Sequence, residues 1–235
     1  MSKLLVVIKK RMLISFIVGI IAVLVITAGS AALLYASTPE PTIGSIVIDA
    51  GHGGIDSGVT GVNSGTTEAE VNLALAQQLQ TSLEEMGFEV IMTRSDENGL
   101  YGSATENLKM ADLTARKAII NEAQPDLIIS IHCNQFPSSD RRGAQTFFDI
   151  SSEAGQALAE AVQSALNELN EREIGKTYDA LSGEYYILEC SDYPSIIVES
   201  GFMSNAEDDA LLTDPTYQAE LVTAFCTGIL AYLGA

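Results

Sequence analysis

The chain contains two histidines, and each follows a short apolar run. His52 comes after Ser45-Ile-Val-Ile-Asp-Ala-Gly, and His132 ends the run Asp126-Leu-Ile-Ile-Ser-Ile. Runs rich in β-branched residues are typical of strands that are covered on both faces. A histidine just past such a strand lies at the carboxyl edge of the sheet, where open α/β sheets bind ligands, and imidazole is the commonest protein metal ligand. Either histidine alone fits a strand cap or a turn, but the matched pair favours one shared metal site.

Two glutamates are available to complete such a site. Glu68 opens a predicted helix together with Glu70, and Glu199 ends the apolar run Ser195-Ile-Ile-Val. Acidic residues also suit the positive end of a helix, so the position of Glu68 alone assigns no chemistry. Glu199 is harder to explain, because a buried charge is costly unless it is paired or bound to a metal. Two histidines and two glutamates match a catalytic zinc site, where one carboxylate acts as general base and one coordination position is left for water.

Cys133 stands next to His132, but the alternation of a strand argues against its being a ligand. Successive side chains on a strand point to opposite faces. If His132 and Asn134 face the site, Cys133 therefore points into the core. The chain has three cysteines, and an odd number in an exported domain argues against a disulfide framework.

The pattern of apolar residues predicts one layered α/β domain over residues 45–235. Strands are predicted at 45–49, 88–92, 126–132, 144–149, 185–189 and 195–199. Helices are predicted at 68–86, 112–123, 152–171 and 214–233. In the first helix, apolar residues recur every three or four positions from Val71 to Met86, and Gly87 ends it. This alternation predicts a mostly parallel or mixed six-stranded sheet with helices on both faces.

The N-terminal 44 residues predict a membrane anchor and a linker. A basic segment, residues 1–11, precedes residues 12–36, which carry no charge and consist mostly of aliphatic residues. About 20 apolar residues span a bilayer, and the basic flank places the N-terminus in the cytoplasm. Residues 37–44 form a linker with prolines. The predicted location is the cell membrane, single-pass, with the domain outside; the alternative is a cleaved signal peptide and secretion.

The charge is distributed unevenly along the chain. Residues 1–36 contain no acidic residue, so the remaining part, with eight basic and 31 acidic residues, carries a net charge of −23. Such an acidic domain repels nucleic acid, and nucleic acid is therefore excluded as a partner. Apolar periodic segments run throughout the same region, which excludes a disordered acidic tail.

Four motifs follow one another along the domain. They are Ile46-Val-Ile-Asp-Ala-Gly-His52-Gly-Gly-Ile-Asp56-Ser-Gly58, Glu68-Ala-Glu-Val-Asn-Leu73, Ile129-Ser-Ile-His132-Cys-Asn134 and Val198-Glu199-Ser-Gly-Phe-Met-Ser-Asn205. In this order they resemble the motifs of zinc-dependent N-acetylmuramoyl-L-alanine amidases of the amidase-3 type. The resemblance covers nearly all of residues 45–233. Two departures, Cys133 where alanine is usual and Ala69 where lysine is common, do not touch the implied ligands.

The resemblance implies one zinc ion held by His52, Glu68 and His132, with Glu199 as the catalytic carboxylate. Glu70 is an alternative ligand, although Glu68 occupies the motif position. The implied reaction is hydrolysis of the amide between N-acetylmuramic acid and L-alanine in peptidoglycan. Zinc activates water and polarises the lactyl carbonyl, and Glu199 passes the proton to the departing nitrogen.

The predicted architecture is similar to that of the short membrane-anchored amidases of spore-forming bacteria, which act in cortex peptidoglycan during sporulation and germination. Its implied partners are peptidoglycan and the cytoplasmic membrane, and a regulator that the sequence does not identify. Two other classes remain open. One is a zinc hydrolase that cuts within the stem peptide, which the absence of a His-Glu-x-x-His helix disfavours. The other is a tethered peptidoglycan-binding protein without catalysis.

Four further residues are candidates for the surroundings of the metal or the substrate. Asp49 and Asp56 flank His52 and would orient its imidazole. Equally, they fit a strand-end turn and an aspartate in a glycine-flanked loop. Asn134 shares the predicted face of His132. Arg116 stands at a position that is usually basic in the family, and its predicted role is structural or site-supporting.

Overall fold

The structure is a computed structural model that describes residues 42–234. The predicted basic segment 1–11, the predicted anchor 12–36 and most of the predicted linker 37–44 lie outside the described residues. Within the described part of the chain, no helix has both the length and the apolar character required to cross a membrane. The anchor therefore stays a prediction.

Within residues 42–234, six strands form one mixed sheet. They are β1 (Ser45–Ala50), β2 (Glu89–Met92), β3 (Leu127–Asn134), β4 (Gln145–Phe148), β5 (Leu181–Ser182) and β6 (Ser195–Phe202). Their order across the sheet is β2-β1-β3-β6-β4-β5. Strands β2, β1, β3 and β6 run parallel, whereas β4 is antiparallel to β6 and parallel to β5. Because β1, β3 and β6 are parallel neighbours, their carboxyl ends meet at one edge of the sheet.

The helices of the same region are α1 (Glu68–Glu85), α2 (Leu108–Ala123), α3 (Glu153–Ile174), α4 (Tyr186–Glu189), α5 (Ala206–Leu212) and α6 (Pro215–Leu233). Helix α1 begins with a capping box. The Thr67 side chain accepts a hydrogen bond from the Glu70 backbone N–H, and the Glu70 carboxylate accepts one from the Thr67 backbone N–H. This cap makes Glu68 the first residue of the helix.

Helices cover both faces of the sheet, as the sequence predicts. Ile46 and Ile48 point into the larger apolar core, which α1, α3 and α6 close. Val47, between them, points into a smaller core on the other face, together with Ile120 of α2 and Ile187 of α4. Each fully buried aliphatic side chain stabilises the fold by about 1.5–3 kcal/mol. The prediction of a single α/β domain with a six-stranded mixed sheet is confirmed.

The strand predicted at 185–189 is wrong. Tyr186–Glu189 form the short helix α4, and the sixth strand is β5. The run Tyr-Tyr-Ile-Leu-Glu is too short for periodicity to separate a strand from a helix. In the fold, the adjacent residues Ile187 and Leu188 are both buried in the smaller core, which the alternating faces of a strand would not allow.

One helix boundary differs from the prediction, and one helix has no predicted counterpart. Helix α2 begins at Leu108 rather than at residue 112, and α5 was not predicted. Helix α5 has seven residues, and its start depends on the Asn205 side chain, which accepts hydrogen bonds from two backbone N–H groups. A helix of two turns leaves little periodicity in the sequence.

Candidate metal centre

Three elements of the fold bring His52, Glu68 and His132 together. His132 lies in β3, and His52 follows the end of β1, the neighbouring parallel strand. Glu68 opens α1, which packs on the same strands. Both histidines therefore stand at the carboxyl edge of the sheet, which is the placement that the sequence pattern indicates.

The carboxylate of Glu68 lies between the two imidazoles. Its Oε1 atom is 3.1 Å from His52 Nε2 and 3.0 Å from His132 Nδ1. Ligand atoms of the three residues lie within 4.8 Å of one another, and the two imidazole rings stand edge to face. Two imidazole nitrogens and one carboxylate oxygen are the protein donors of a known type of catalytic zinc site. The three side chains thus fit a zinc ion and would hold it through two imidazole nitrogens and one carboxylate oxygen.

Glu68 is held as an ion although its side chain is buried. The backbone N–H of Val59 donates to its Oε2 at 3.0 Å, and that of Cys133 donates to its Oε1 at 3.1 Å. Burial raises the pKa of Glu68, but the hydrogen bonds and charges of His132 and His52 lower it by more. Burial lowers the pKa of His52, and the carboxylates of Glu68 and Asp56 together raise it by more. The carboxylate is therefore ionised at neutral pH, as a metal ligand must be.

His52 lies in a turn that is strained for its residue type. Its φ angle is 64°, and Gly53 and Gly54 follow with φ angles of 136° and 60°. A left-handed conformation costs a residue with a side chain about 1–2 kcal/mol. Buried side chains hold the turn through its backbone carbonyls. The donors are Arg94, Arg116 and Asn72, and the acceptors are the carbonyl oxygens of Ala50, Gly51 and His52.

Asp49 and Arg116 form a buried ion pair next to this turn. Arg116 donates to Asp49 Oδ1 at 2.6 Å and to the His52 carbonyl oxygen at 2.7 Å. The hydroxyl groups of Thr93 and Ser130 also donate to the Asp49 carboxylate. Burial raises the pKa of Asp49, but the Arg116 guanidinium, the Ser130 hydrogen bond and the charge of His132 outweigh burial and lower it to about 2. Arg116 therefore supports the turn directly, and Asp49 acts on His52 through Arg116.

Two glycines let the candidate ligands His132 and Glu68 approach the backbone closely. A Cβ atom at Gly51 would lie 2.2 Å from Cε1 of the His132 imidazole. A Cβ atom at Gly58 would lie 2.4 Å from Oε2 of Glu68, and the φ angle of Gly58 is 64°. A side chain at either position would push a candidate ligand out of place, so both positions require glycine.

Glu199 lies beside His132 on the adjacent strand β6, where the two residues are register partners. Its Oε2 atom is buried and has no hydrogen-bond partner among the described residues. Burial raises the pKa of Glu199 to about 7; the charge of His132 opposes this rise, and that of Glu68 adds to it. A carboxyl group with a pKa near neutrality can both accept and return a proton. The structure thus places a buried carboxyl group that can titrate near neutral pH next to the candidate metal centre.

These residues open into a cleft of about 680 Å³. His52, His132 and Glu199 line it, together with Ile55, Tyr101 and residues from two further segments. The first segment includes the start of α2, with the apolar residues Leu108 and Leu113, and the second comprises residues 184–187, with Tyr185 and Tyr186. Apolar and aromatic walls with a few convergent polar groups are typical of ligand pockets.

Asp56 lies next to His52 of the candidate centre, whereas Asn134 does not line the cleft. Asp56 Oδ1 is 3.0 Å from His52 Nδ1, although the two atoms are not aligned for a hydrogen bond, and the Asp56 side chain is 53% exposed. Asn134 is not among the residues that line the cleft. The β3–β6 register shifts between His132 and Asn134, and Asn134 Oδ1 accepts a hydrogen bond from the neighbouring Gln135 N–H.

Glu70 and Cys133, the two residues that the sequence places next to candidate ligands, have other partners. Glu70 accepts hydrogen bonds from the Thr67 backbone N–H and hydroxyl, so its carboxylate caps α1. Cys133 is buried in the larger core, and burial raises the pKa of its thiol well above the ordinary value. Cys133 contributes to the centre through its backbone N–H, which donates to Glu68.

Sequence reasoning missed Arg94 and Asn72. Both side chains are buried, and both donate to the Gly51 carbonyl oxygen. Asn72 also approaches Glu68 Oε1 at 3.5 Å, and it stands one helical turn after Glu68. That spacing was a usable signal, because residues four apart share a helix face. Arg94 follows β2 in a loop, and no periodicity in the sequence marks it.

Comparison with known proteins identifies similar chains. A family model described as N-acetylmuramoyl-L-alanine amidase matches residues 46–231. A germination-specific N-acetylmuramoyl-L-alanine amidase of Bacillus subtilis (strain 168) is 32% identical over 196 residues, covering 82% of this chain and 81% of the relative. N-acetylmuramoyl-L-alanine amidase LytC of the same strain is 33% identical over 197 residues, covering 82% of this chain and 36% of the relative. The solved structure of the CwlD amidase from Clostridioides difficile, in complex with the GerS lipoprotein, has a TM-score of 0.75 and 34% identity, covering 81% of this chain and 98% of that one.

Proposed function

The chain belongs to the N-acetylmuramoyl-L-alanine amidase family, and from this premise we propose how its site works. The protein is a peptidoglycan hydrolase that cuts the amide bond between N-acetylmuramic acid and L-alanine. This reaction needs an activated water, stabilisation of the carbonyl oxygen and a proton for the departing nitrogen. The candidate centre contains groups suited to each of these tasks.

We propose that His52, Glu68 and His132 hold one zinc ion. The support is the donor set itself, with a buried ionised carboxylate between two imidazoles. Zinc supplies Lewis acidity at such a site, lowering the pKa of water and polarising a carbonyl group. Each imidazole would bind the metal through an unprotonated ring nitrogen, and the Glu68 carboxylate would offset part of the charge of the ion.

Glu199 is the proton-transfer group in this proposal. The observation that carries it is the buried Oε2 atom without a hydrogen-bond partner, on a carboxyl group whose pKa is raised to about 7. Glu199 accepts a proton from the attacking water and delivers it to the L-alanine nitrogen as the C–N bond breaks. An amide nitrogen is a poor leaving group unless it is protonated, so both halves of this transfer matter.

Digestion of purified peptidoglycan tests the proposed activity. The zinc-loaded protein should release stem peptides with a free L-alanine amine, detected by mass spectrometry of the muropeptides. A Glu199→Gln protein at the same concentration is the matched control, and it should release almost none. Peptides cut internally would instead indicate a stem-peptide hydrolase, and an unchanged digest would indicate a binding protein.

We also propose a germination-type role with the chain held at the membrane. Its support is the similarity to a germination-specific amidase and the uncharged apolar residues 12–36 after a basic segment. A protein regulator is part of this proposal, since the similar CwlD amidase was solved in complex with the GerS lipoprotein. Blotting membrane and medium fractions for a C-terminal tag tests the anchoring. A shortened species in the medium would indicate a cleaved signal instead.

A further inference from the structure

Arg94 is a buried arginine whose hydrogen-bond partners are all backbone carbonyls. It follows β2 outside any helix or strand, and it is 3% exposed. No carboxylate among residues 42–234 lies within ion-pair distance of its guanidinium, and the bonds go instead to the carbonyl oxygens of Ala50, Gly51, Ala69 and Asp96. Burying a cation without an opposite charge is costly, so this placement calls for a physical reason.

The bonds of Arg94 join the two backbone segments that carry His52 and Glu68. One nitrogen, Nη2, donates to the carbonyl oxygen of Gly51 at 2.9 Å and to that of Ala69 at 2.9 Å. Gly51 directly precedes His52, and Ala69 directly follows Glu68. The guanidinium therefore fixes the distance between the strained turn after β1 and the first turn of α1.

The chemistry of the guanidinium suits this task better than that of any other side chain. It is planar, carries five donors in a fixed fork and stays charged. The Nε atom donates to the Ala50 carbonyl oxygen at 2.8 Å, so the Arg94 side chain contacts two successive carbonyls of the turn. The turn also packs directly on this side chain, because a Cβ atom at Gly53 would lie 3.1 Å from Arg94 Cδ and Nε.

We propose that Arg94 is a positioning residue for the metal centre. It sets the separation of the His52 imidazole from the Glu68 carboxylate, and through that separation it sets the affinity for zinc. The inference rests on the proposed function, because it takes the three side chains as zinc ligands. It adds a residue that contacts neither the metal nor the reacting atoms.

Zinc affinity, measured with the full chain by competition against a chromophoric chelator, tests this proposal. Arg94→Met removes the donors at similar length, and Arg94→Lys keeps the charge but lacks the planar fork. Both variants should bind zinc about 10–100-fold more weakly than the unaltered chain, the usual cost of losing a group that orients ligands. The visible spectrum of the Co²⁺-loaded variants should also change, because the ligand geometry changes.

Arg142→Met is the matched control. Arg142 bonds to Asp208 and Glu207, near the start of α5, and so holds a part of the fold that contributes no candidate ligand. This variant should lower the melting temperature and leave zinc affinity unchanged.

If Arg94→Met does not fold, the zinc affinity and the Co²⁺ spectrum of Arg94→Lys test the proposal. Normal zinc affinity and an unchanged Co²⁺ spectrum in folded Arg94 variants would overturn the proposal, and Arg94 would then be a stabilising residue only. An unaltered chain that binds no zinc would overturn the proposed function as well.

Discussion

The two histidines of the candidate centre reach it by different structural means. His132 lies within β3, where it pairs with Glu199 of β6 and the preceding Ile131 pairs with Ala50 of β1. His52 lies beyond the end of β1, in a left-handed conformation, and buried arginine and asparagine side chains hold its turn. One candidate ligand is thus placed by secondary structure, and the other by contacts with residues distant in sequence. The second arrangement should be the easier one to break by mutations outside the ligand set.

We expect the removal of Arg116 to have the largest effect on stability. Arg116 is one of the side chains that hold the turn of His52. Arg116→Met leaves the buried Asp49 carboxylate without its cation and the His52 carbonyl without a donor. We expect the free energy of unfolding to fall by about 3–5 kcal/mol, measured by urea denaturation with a chelator present. Adding Asp49→Asn should recover part of the loss, because the unpaired charge is gone. A loss below about 1 kcal/mol would contradict a turn held by this pair.

Acid should weaken the same region through Asp49. Its pKa is lowered from an ordinary value of 3.8 to about 2, so the stabilisation is fully present above pH 3.8. It is lost as the pH falls through 2, and the shift corresponds to about 2 kcal/mol. The difference in unfolding free energy between the unaltered chain and Asp49→Asn, measured at pH 5 and at pH 2, should shrink by about that amount. A difference that is independent of pH would show that Asp49 is not the group responsible.

The difference in stability between a glycine and an alanine variant should have opposite signs at His52 and at His132. At position 52 the φ angle of 64° favours glycine, so His52→Gly should be about 1 kcal/mol more stable than His52→Ala. At position 132, within a strand, His132→Gly should be about 0.5–1 kcal/mol less stable than His132→Ala. All four variants should lose most of their zinc. Chemical denaturation of the metal-free proteins measures these stabilities. If the glycine and alanine variants had the same order of stability at both positions, the proposed contrast between the two histidines would be wrong.

The same contrast explains how far the sequence predicts the molecule. Strands β1, β3 and β6 are marked by runs of β-branched residues, and a histidine or glutamate at the end of each run marks the sheet edge. Those signals are local, and they predict the fold and bring the candidate ligands to one place. The order of the strands and the antiparallel β4 depend on packing between distant segments, and no local pattern carries that information.

The side chains that hold the His52 turn show why the rest of the candidate site could not be predicted from the sequence. Arg94 stands 43 residues after Gly51 and 25 residues after Ala69, in a loop without periodicity. Its role depends on where the chain places those two carbonyl groups, which only the folded structure shows. The strand predicted at 185–189 was wrong for a related reason. Its apolar run is compatible with either a strand or a helix, and only packing in the smaller core favours the helix α4.

The central claim is that Glu68 binds zinc and Glu199 transfers protons. Zinc content and amidase rate, measured side by side for Glu199→Gln and Glu68→Gln, test it most directly. Glu199→Gln should keep its zinc and its fold while turnover falls by about 10²–10⁴-fold. Glu68→Gln should lose zinc, because a neutral amide is a poorer ligand than a carboxylate. If Glu199→Gln loses zinc while Glu68→Gln keeps both zinc and activity, the two roles are reversed and the account is contradicted.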